Sequence, residues 1–84
     1  MDNKEFILKK IKDILVEEVK LIVKEDVINE DTHLQNDYAI NSMQMVVFLV
    51  ELEKEFNIEM DDENVTQETI VNVRQLLIYL EEKL

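Results

Sequence analysis

No glycine and no proline occurs among the 84 residues of this chain, where an average composition would supply about six and four. Loops that cradle phosphates or dinucleotides need glycine for close backbone approach, so those binding motifs are excluded. Hairpins built on tight glycine-containing turns are equally disfavoured, which argues against an all-β fold. Cysteine is absent too, and there is a single histidine, His33. That removes thiolate nucleophiles, disulfides and Cys-ligated zinc, and one imidazole cannot build a two-histidine metal site. A small all-α protein is the expected class.

The length suits a single domain over residues 1–84, with a core of modest stability. Formal net charge is −11, which disfavours nucleic acid and anionic membranes and favours basic protein partners. The longest apolar run, Met45 to Val50, falls far short of a membrane span. The N-terminal residues lack the apolar stretch of a signal peptide, so a cytoplasmic location is expected. Charge is distributed unevenly. Residues 25–40 carry five acids and no base, residues 51–68 eight acids against Lys54, and Asn41 to Val50 no ionisable group. A neutral window framed by acid is the most informative feature of this map.

Apolar periodicity marks three main helices. The first is expected to open at Asp2, with Glu5 completing a capping box. Ile7, Ile11, Ile14, Leu15, Val19 and Ile22 recur at spacings of three and four, carrying it to about Lys24. Residues 25–40 show no sustained period and read as a long loop, a length that more often serves function than connection. The second helix runs from about Ser42 to Phe56, with Asn41 as N-cap and Gln44 closing the capping box. Met45, Phe48, Leu49, Leu52 and Phe56 form its core arc, while Met43, Val47 and Val50 fall on a second apolar stripe. Asp61 to Gln67 could hold one short helical turn. The last helix follows Asn72, with Gln75 completing another capping box and a core stripe of Val73, Leu76, Leu77, Leu80 and Leu84, Tyr79 at its edge. Three main helices and one short one make a small four-helix bundle.

Ser42 is the residue to weigh for chemistry. It occupies the first turn of the second helix, where backbone amides lack intrahelical partners and the macrodipole is positive. A phosphate or phosphodiester on its hydroxyl would be solvated there, with no carboxylate between residues 41 and 50 to repel it. The plain alternative is a helix-terminal serine of no further consequence, since serine is enriched at helix starts.

The stretch Asp37-Tyr38-Ala39-Ile40-Asn41-Ser42-Met43 resembles the Asp-x-Gly-x-Asp-Ser-Leu motif of acyl and peptidyl carrier proteins. Leu49 to Met60 is similar to the segment that follows it in that family. Asp31-Thr32-His33-Leu34 resembles the turn before it, and Glu68 to Val73 with the Leu-rich helix after it resembles the family's close. The resemblance covers nearly the whole chain and suits a free-standing carrier. It implies a four-helix bundle whose serine, here Ser42, bears a 4′-phosphopantetheine arm delivered from coenzyme A by a phosphopantetheinyl transferase. The arm's thiol would hold acyl or aminoacyl groups as thioesters for loading and processing enzymes, and the protein would be a monomeric shuttle and no enzyme.

Three positions depart from the motif. Asn41 replaces aspartate, keeping the cap but losing a charge. Ala39 replaces glycine, so the backbone there is expected outside the left-handed region. Met43 replaces leucine at similar volume. Gln44 and Val47 stand where carriers of fatty-acid synthesis tend to be acidic. Docking through Met43, Gln44, Val47 and Val50 is therefore expected to lean on apolar contact, which suits a dedicated polyketide or non-ribosomal peptide pathway. An arm-less interaction module of the same fold is the alternative. A Ser42–His33–Asp37 triad lacks an oxyanion-hole signature. Asp61, Asp62 and Glu63 lack the spacing of a calcium loop, so no metal is expected.

Overall fold

The structure, a computed structural model, describes residues 3–60 and 65–84. Its helices are α1 (Asn3–Glu17), α2 (Leu34–Tyr38), α3 (Ser42–Phe56), α4 (Gln67–Val71) and α5 (Val73–Lys83), with a 3-10 turn at Glu25–Val27. The three long helices are those the apolar periodicity predicts. α1 packs on α3 and α5, and α4 lies against α5 and touches α3. Ile7, Ile11, Leu15, Phe48, Leu52, Leu76, Leu77 and Leu80 meet in the centre, each at most 1% exposed.

α1 stops at Glu17 rather than near Lys24. Lys20 takes a left-handed conformation (φ 64°), and the Leu21 N–H reaches back to the Leu15 carbonyl at 3.0 Å. That bond spans six residues, one more than a Schellman closure, and with Leu21 and Leu15 both buried it stops the helix through a left-handed residue without glycine. Val19 and Leu21 stay in the core beyond the helix, but Ile22, expected on the buried stripe, is fully exposed. The opening cap assigned to Asp2 lies outside the described residues.

The predicted loop over residues 25–40 is more ordered than a loop. Ile28 and Leu34 are wholly buried. Thr32 Oγ1 accepts from the Asn29 N–H at 2.9 Å, and the Val73 N–H donates to the Thr32 carbonyl at 3.2 Å. Arg74 pairs with Asp31 and Glu30 from across the bundle. These ties stitch the segment to the head of α5 and support α2, which is too short to stand on propensity alone.

α2 ends in the same manner as α1. The Ile40 N–H bonds the Leu34 carbonyl at 3.2 Å, and Ala39 lies at φ 52°, ψ 43°. The expectation that alanine would keep this position out of the left-handed region is overturned: the closure from Ile40 back to Leu34 and the burial of Ile40 hold the backbone there. A Cβ in that region costs about 1–2 kcal/mol, partly offset by the larger unfolded-state entropy glycine would bring. Ala39→Gly should therefore stabilise the protein by about 0.5–1 kcal/mol. Urea melts read this directly, and an unchanged or lowered midpoint would contradict it.

The short helix also sits later than expected. It covers Gln67–Val71, capped reciprocally by Thr66 and Thr69. Residues 61–64, where the sequence placed its start and the acidic trio, lie outside the described residues. Asn72 closes α4 and caps α5, its side chain accepting from the Gln75 N–H at 3.2 Å; the expected capping box is only half formed, because the Asn72 N–H is already taken by the Glu68 carbonyl at 3.0 Å. At the end of α5, Tyr79 is buried and Leu84 exposed, the reverse of the predicted stripe.

Candidate functional site

α3 begins where the sequence says it should. Asn41 is extended (φ −94°, ψ 174°), its side chain accepting from the Gln44 N–H at 2.8 Å. Gln44 Oε1 in turn accepts from the Asn41 N–H at 3.0 Å. The Met45 N–H is taken by the Asn41 carbonyl at 2.9 Å. The open amides of this turn are therefore those of Ser42 and Met43. Because Asn41 does the capping, the exposed Ser42 hydroxyl is spared that task. Asn41→Ala should cost about 1 kcal/mol through loss of the cap. Thermal melts would show a Tm fall of about 4–8 °C, and no fall would mean that packing alone fixes the helix start.

Ser42 stands at the mouth of a cleft of about 370 Å³. Met45 and Leu49 of α3 form one wall, Val65 and Ile70 the other, and Met60 closes it. The Met60 N–H is anchored to Glu53 at 2.8 Å, which turns the chain after α3 back over its own apolar side. The volume is at the small end of the range for ligand-binding cavities.

The second apolar stripe is real, but its membership differs from the expected one. Met43 is 76% exposed, Val46 59% and Val50 44%, whereas Val47 packs against the core. The centre of the buried face is Phe48 and Leu52, with Met45 and Leu49 rotated toward the cleft. That shifts the outer face by one position, so Val46 and not Val47 lies between Met43 and Val50. Gln44, another expected docking residue, is half-buried and tied into the capping box. The signal for Val46 was its three-residue spacing from Met43, as regular on a helix as the four-residue spacing of Val47.

His33 is occupied with structure. Its Nδ1 accepts from the Asn36 N–H at 3.1 Å, capping α2, and its Nε2 lies 3.2 Å from Glu68 Oε1. The imidazole, with the Asn72 amide after it, holds the Glu68 carboxyl below its ordinary value. Asp37 accepts from the backbone N–H of His33 at 2.8 Å. Both partners of the conceivable triad are thus engaged away from Ser42. No group of metal-ligating side chains occurs among the described residues, and none of the described helices is long and apolar enough to cross a membrane.

Comparison with known proteins decides the family. Residues 9–80 match the family described as phosphopantetheine attachment site. The chain belongs to the acyl carrier protein family. It is 37% identical over its whole length to an acyl carrier protein of Cyanidium caldarium, covering 93% of that protein. A second acyl carrier protein, from Thermotoga maritima, is 33% identical over the whole chain and 99% covered. The solution structure of a holo acyl carrier protein from Nitrosomonas europaea has the same fold. Its TM-score is 0.78 at 22% identity, over 90% of this chain and 93% of that one. As an acyl carrier protein the chain is a non-catalytic carrier of acyl intermediates on a phosphopantetheine arm. Its partners as a family member are a phosphopantetheinyl transferase and acyl-processing enzymes.

Proposed function

We propose that the arm is attached at Ser42. The single observation that supports this best is that Ser42 is the only serine in the chain, a count the motif comparison did not use. Its hydroxyl is exposed on the first turn of α3, and the free amides of Ser42 and Met43 suit the phosphodiester that attachment creates. In the transfer, Ser42 Oγ attacks the phosphorus bearing the pantetheine half of coenzyme A. The bond to the nucleotide half breaks, adenosine bisphosphate leaves, and the hydroxyl proton passes to a base of the transferase. When bound, the arm supplies the thiol that the chain lacks, on which an acyl group is held as a thioester. The adjoining cleft can shield part of an apolar cargo from water, each buried methylene contributing about 0.8 kcal/mol.

Enzymes that process the cargo dock on the outer face of α3, against Met43, Val46 and Val50. No acid occupies the first turn of that helix, so this contact is chiefly apolar and suits a dedicated biosynthetic pathway more than general fatty-acid synthesis. Val46→Glu should weaken binding of the cognate acyl-loading enzyme about ten-fold or more while leaving stability within about 0.5 kcal/mol. Titration calorimetry and a urea melt on the same variant separate the two effects, and equal loss of both would mean Val46 is packed in the fold.

Thiol titration tests the carrier reading with no background, because the chain has no cysteine. The apo chain should titrate at zero. After treatment with coenzyme A, magnesium and a promiscuous phosphopantetheinyl transferase, it should show one thiol per chain, lost again on acyl loading. A well-folded chain that gains no thiol, either as wild type or as Asn41→Asp, would overturn the reading and favour an arm-less module.

A further inference from the structure

We propose that His33 is a pH-sensitive link between α2 and α4: as the neutral ring it caps α2 while reaching Glu68, and once protonated it releases α2 and keeps Glu68. The proposal stands apart from the reading of Ser42 as the attachment site.

The two bonds of the imidazole fix its neutral form. Nδ1 accepts from the Asn36 N–H at 3.1 Å, so the proton of the neutral ring sits on Nε2, which donates to Glu68 Oε1 at 3.2 Å. One nitrogen thus serves the N-cap of α2 and the other reaches α4. A proton added at Nδ1 turns that acceptor into a donor facing the Asn36 N–H, and the cap is lost. The same proton makes the contact with Glu68 an ion pair. Glu68 is 55% exposed, so the pair gains little against water, and the lost cap sets the net effect on α2. The cap therefore stabilises α2 above the imidazole range and disappears as the pH falls through it.

The surroundings isolate this one titration. His33 is the single histidine of the chain, and imidazole is the side chain whose ordinary charge change falls between about pH 8 and pH 5. The charged groups of the elements around it are Glu68 of α4, Asp37 of α2, Glu30 and Asp31 of the loop before it, and Arg74 of α5. Glu68 stays ionised through that range, because His33 and then Asn72 hold its carboxyl below its ordinary value. Asp37 is committed to the His33 backbone N–H at 2.8 Å, and Arg74 to Glu30 and Asp31. An antiparallel bridge pins the His33 backbone to Asn72, so the ring can change partners while the residue stays in place. With five residues, α2 has little else to hold its first turn. It leads through Ala39 and Ile40 to the Asn41 cap, while α4 gives Gln67 and Ile70 to the cleft beside Ser42. The ring thus joins the two segments on either side of Ser42, and acid frees one of them.

The test is nuclear magnetic resonance on the whole 15N-labelled chain, wild type and His33→Asn, at about pH 8 and about pH 5.5. Asparagine is a good N-cap acceptor that does not titrate, so the variant keeps the cap and loses the switch. At the higher pH the wild-type ring signals should show Nδ1 bare and Nε2 protonated. Amide exchange is expressed as protection factors, which remove the intrinsic pH dependence. Between the two pH values the protection of the Asn36 and Asp37 amides should fall about five-fold in the wild type, the scale of a lost N-cap, and stay constant in His33→Asn. The amides of α1, α3 and α5 should keep their protection in both. The link is overturned if the neutral ring carries its proton on Nδ1, or if α2 in the wild type is equally protected at both pH values. An equal fall in His33→Asn overturns it too, as does a fall shared by all the helices, which would be general acid unfolding.

Discussion

Phe48→Ala should cost about 3–5 kcal/mol, the usual consequence of deleting a fully buried aromatic ring. Phe48 is 0% exposed and is the largest of the wholly buried side chains. With Leu52 it forms the buried face of α3 and belongs to the central core cluster. A protein of this length commands a total stability of only about 4–13 kcal/mol, so this substitution removes a large share of it. Urea denaturation should show the full loss, and Phe48→Leu should recover much of it by refilling volume. A loss below about 1.5 kcal/mol would mean that the core is plastic here.

Ser42→Ala should do the opposite: abolish function with almost no effect on the fold. The capping box of Asn41 and Gln44 carries the helix start without the serine hydroxyl, and alanine is a better helix former than serine. Stability should stay within about 0.5 kcal/mol of the wild type, as for an exposed substitution. Acyl loading by any enzyme should be lost entirely, since no other serine exists to receive the arm. A marked fall in helicity would assign Ser42 a structural task instead.

Helix beginnings were legible in the sequence because a cap is a local device. Asn41 with Gln44, and Asn72 with the amide of Gln75, set the starts of α3 and α5 through contacts three residues apart. Helix ends were less legible, because their usual mark is glycine and this chain has none: the end of α3 at Phe56 was read from its apolar stripe, that of α1 at Glu17 was not. Lys20, Ala39 and Asn57 take the left-handed conformation regardless. In the first two, backbone bonds that close back over six residues and the burial of the following residue, Leu21 or Ile40, outweigh the cost of a Cβ.

The short helices escaped for a different reason. α2 is held by contacts remote in sequence, His33 to Glu68 and Thr32 to Val73, which no window of neighbouring residues reveals. The outer face of α3 was found but misread by one position. Val46 and Val47 are equally compatible with the helical period, and only the orientation of the core around Phe48 and Leu52 separates them. Ile22 shows the same limit: its spacing suits a buried stripe, yet α1 has already ended when the chain reaches it.

The attachment of the arm is tested most directly by intact mass. Wild type and Ser42→Ala are incubated side by side with coenzyme A, magnesium and a promiscuous phosphopantetheinyl transferase. The wild type should gain the mass of one phosphopantetheine and the variant none. An equal gain on Ser42→Ala would place the arm elsewhere and contradict the account, as would a folded wild type that stays unmodified both as it stands and as Asn41→Asp.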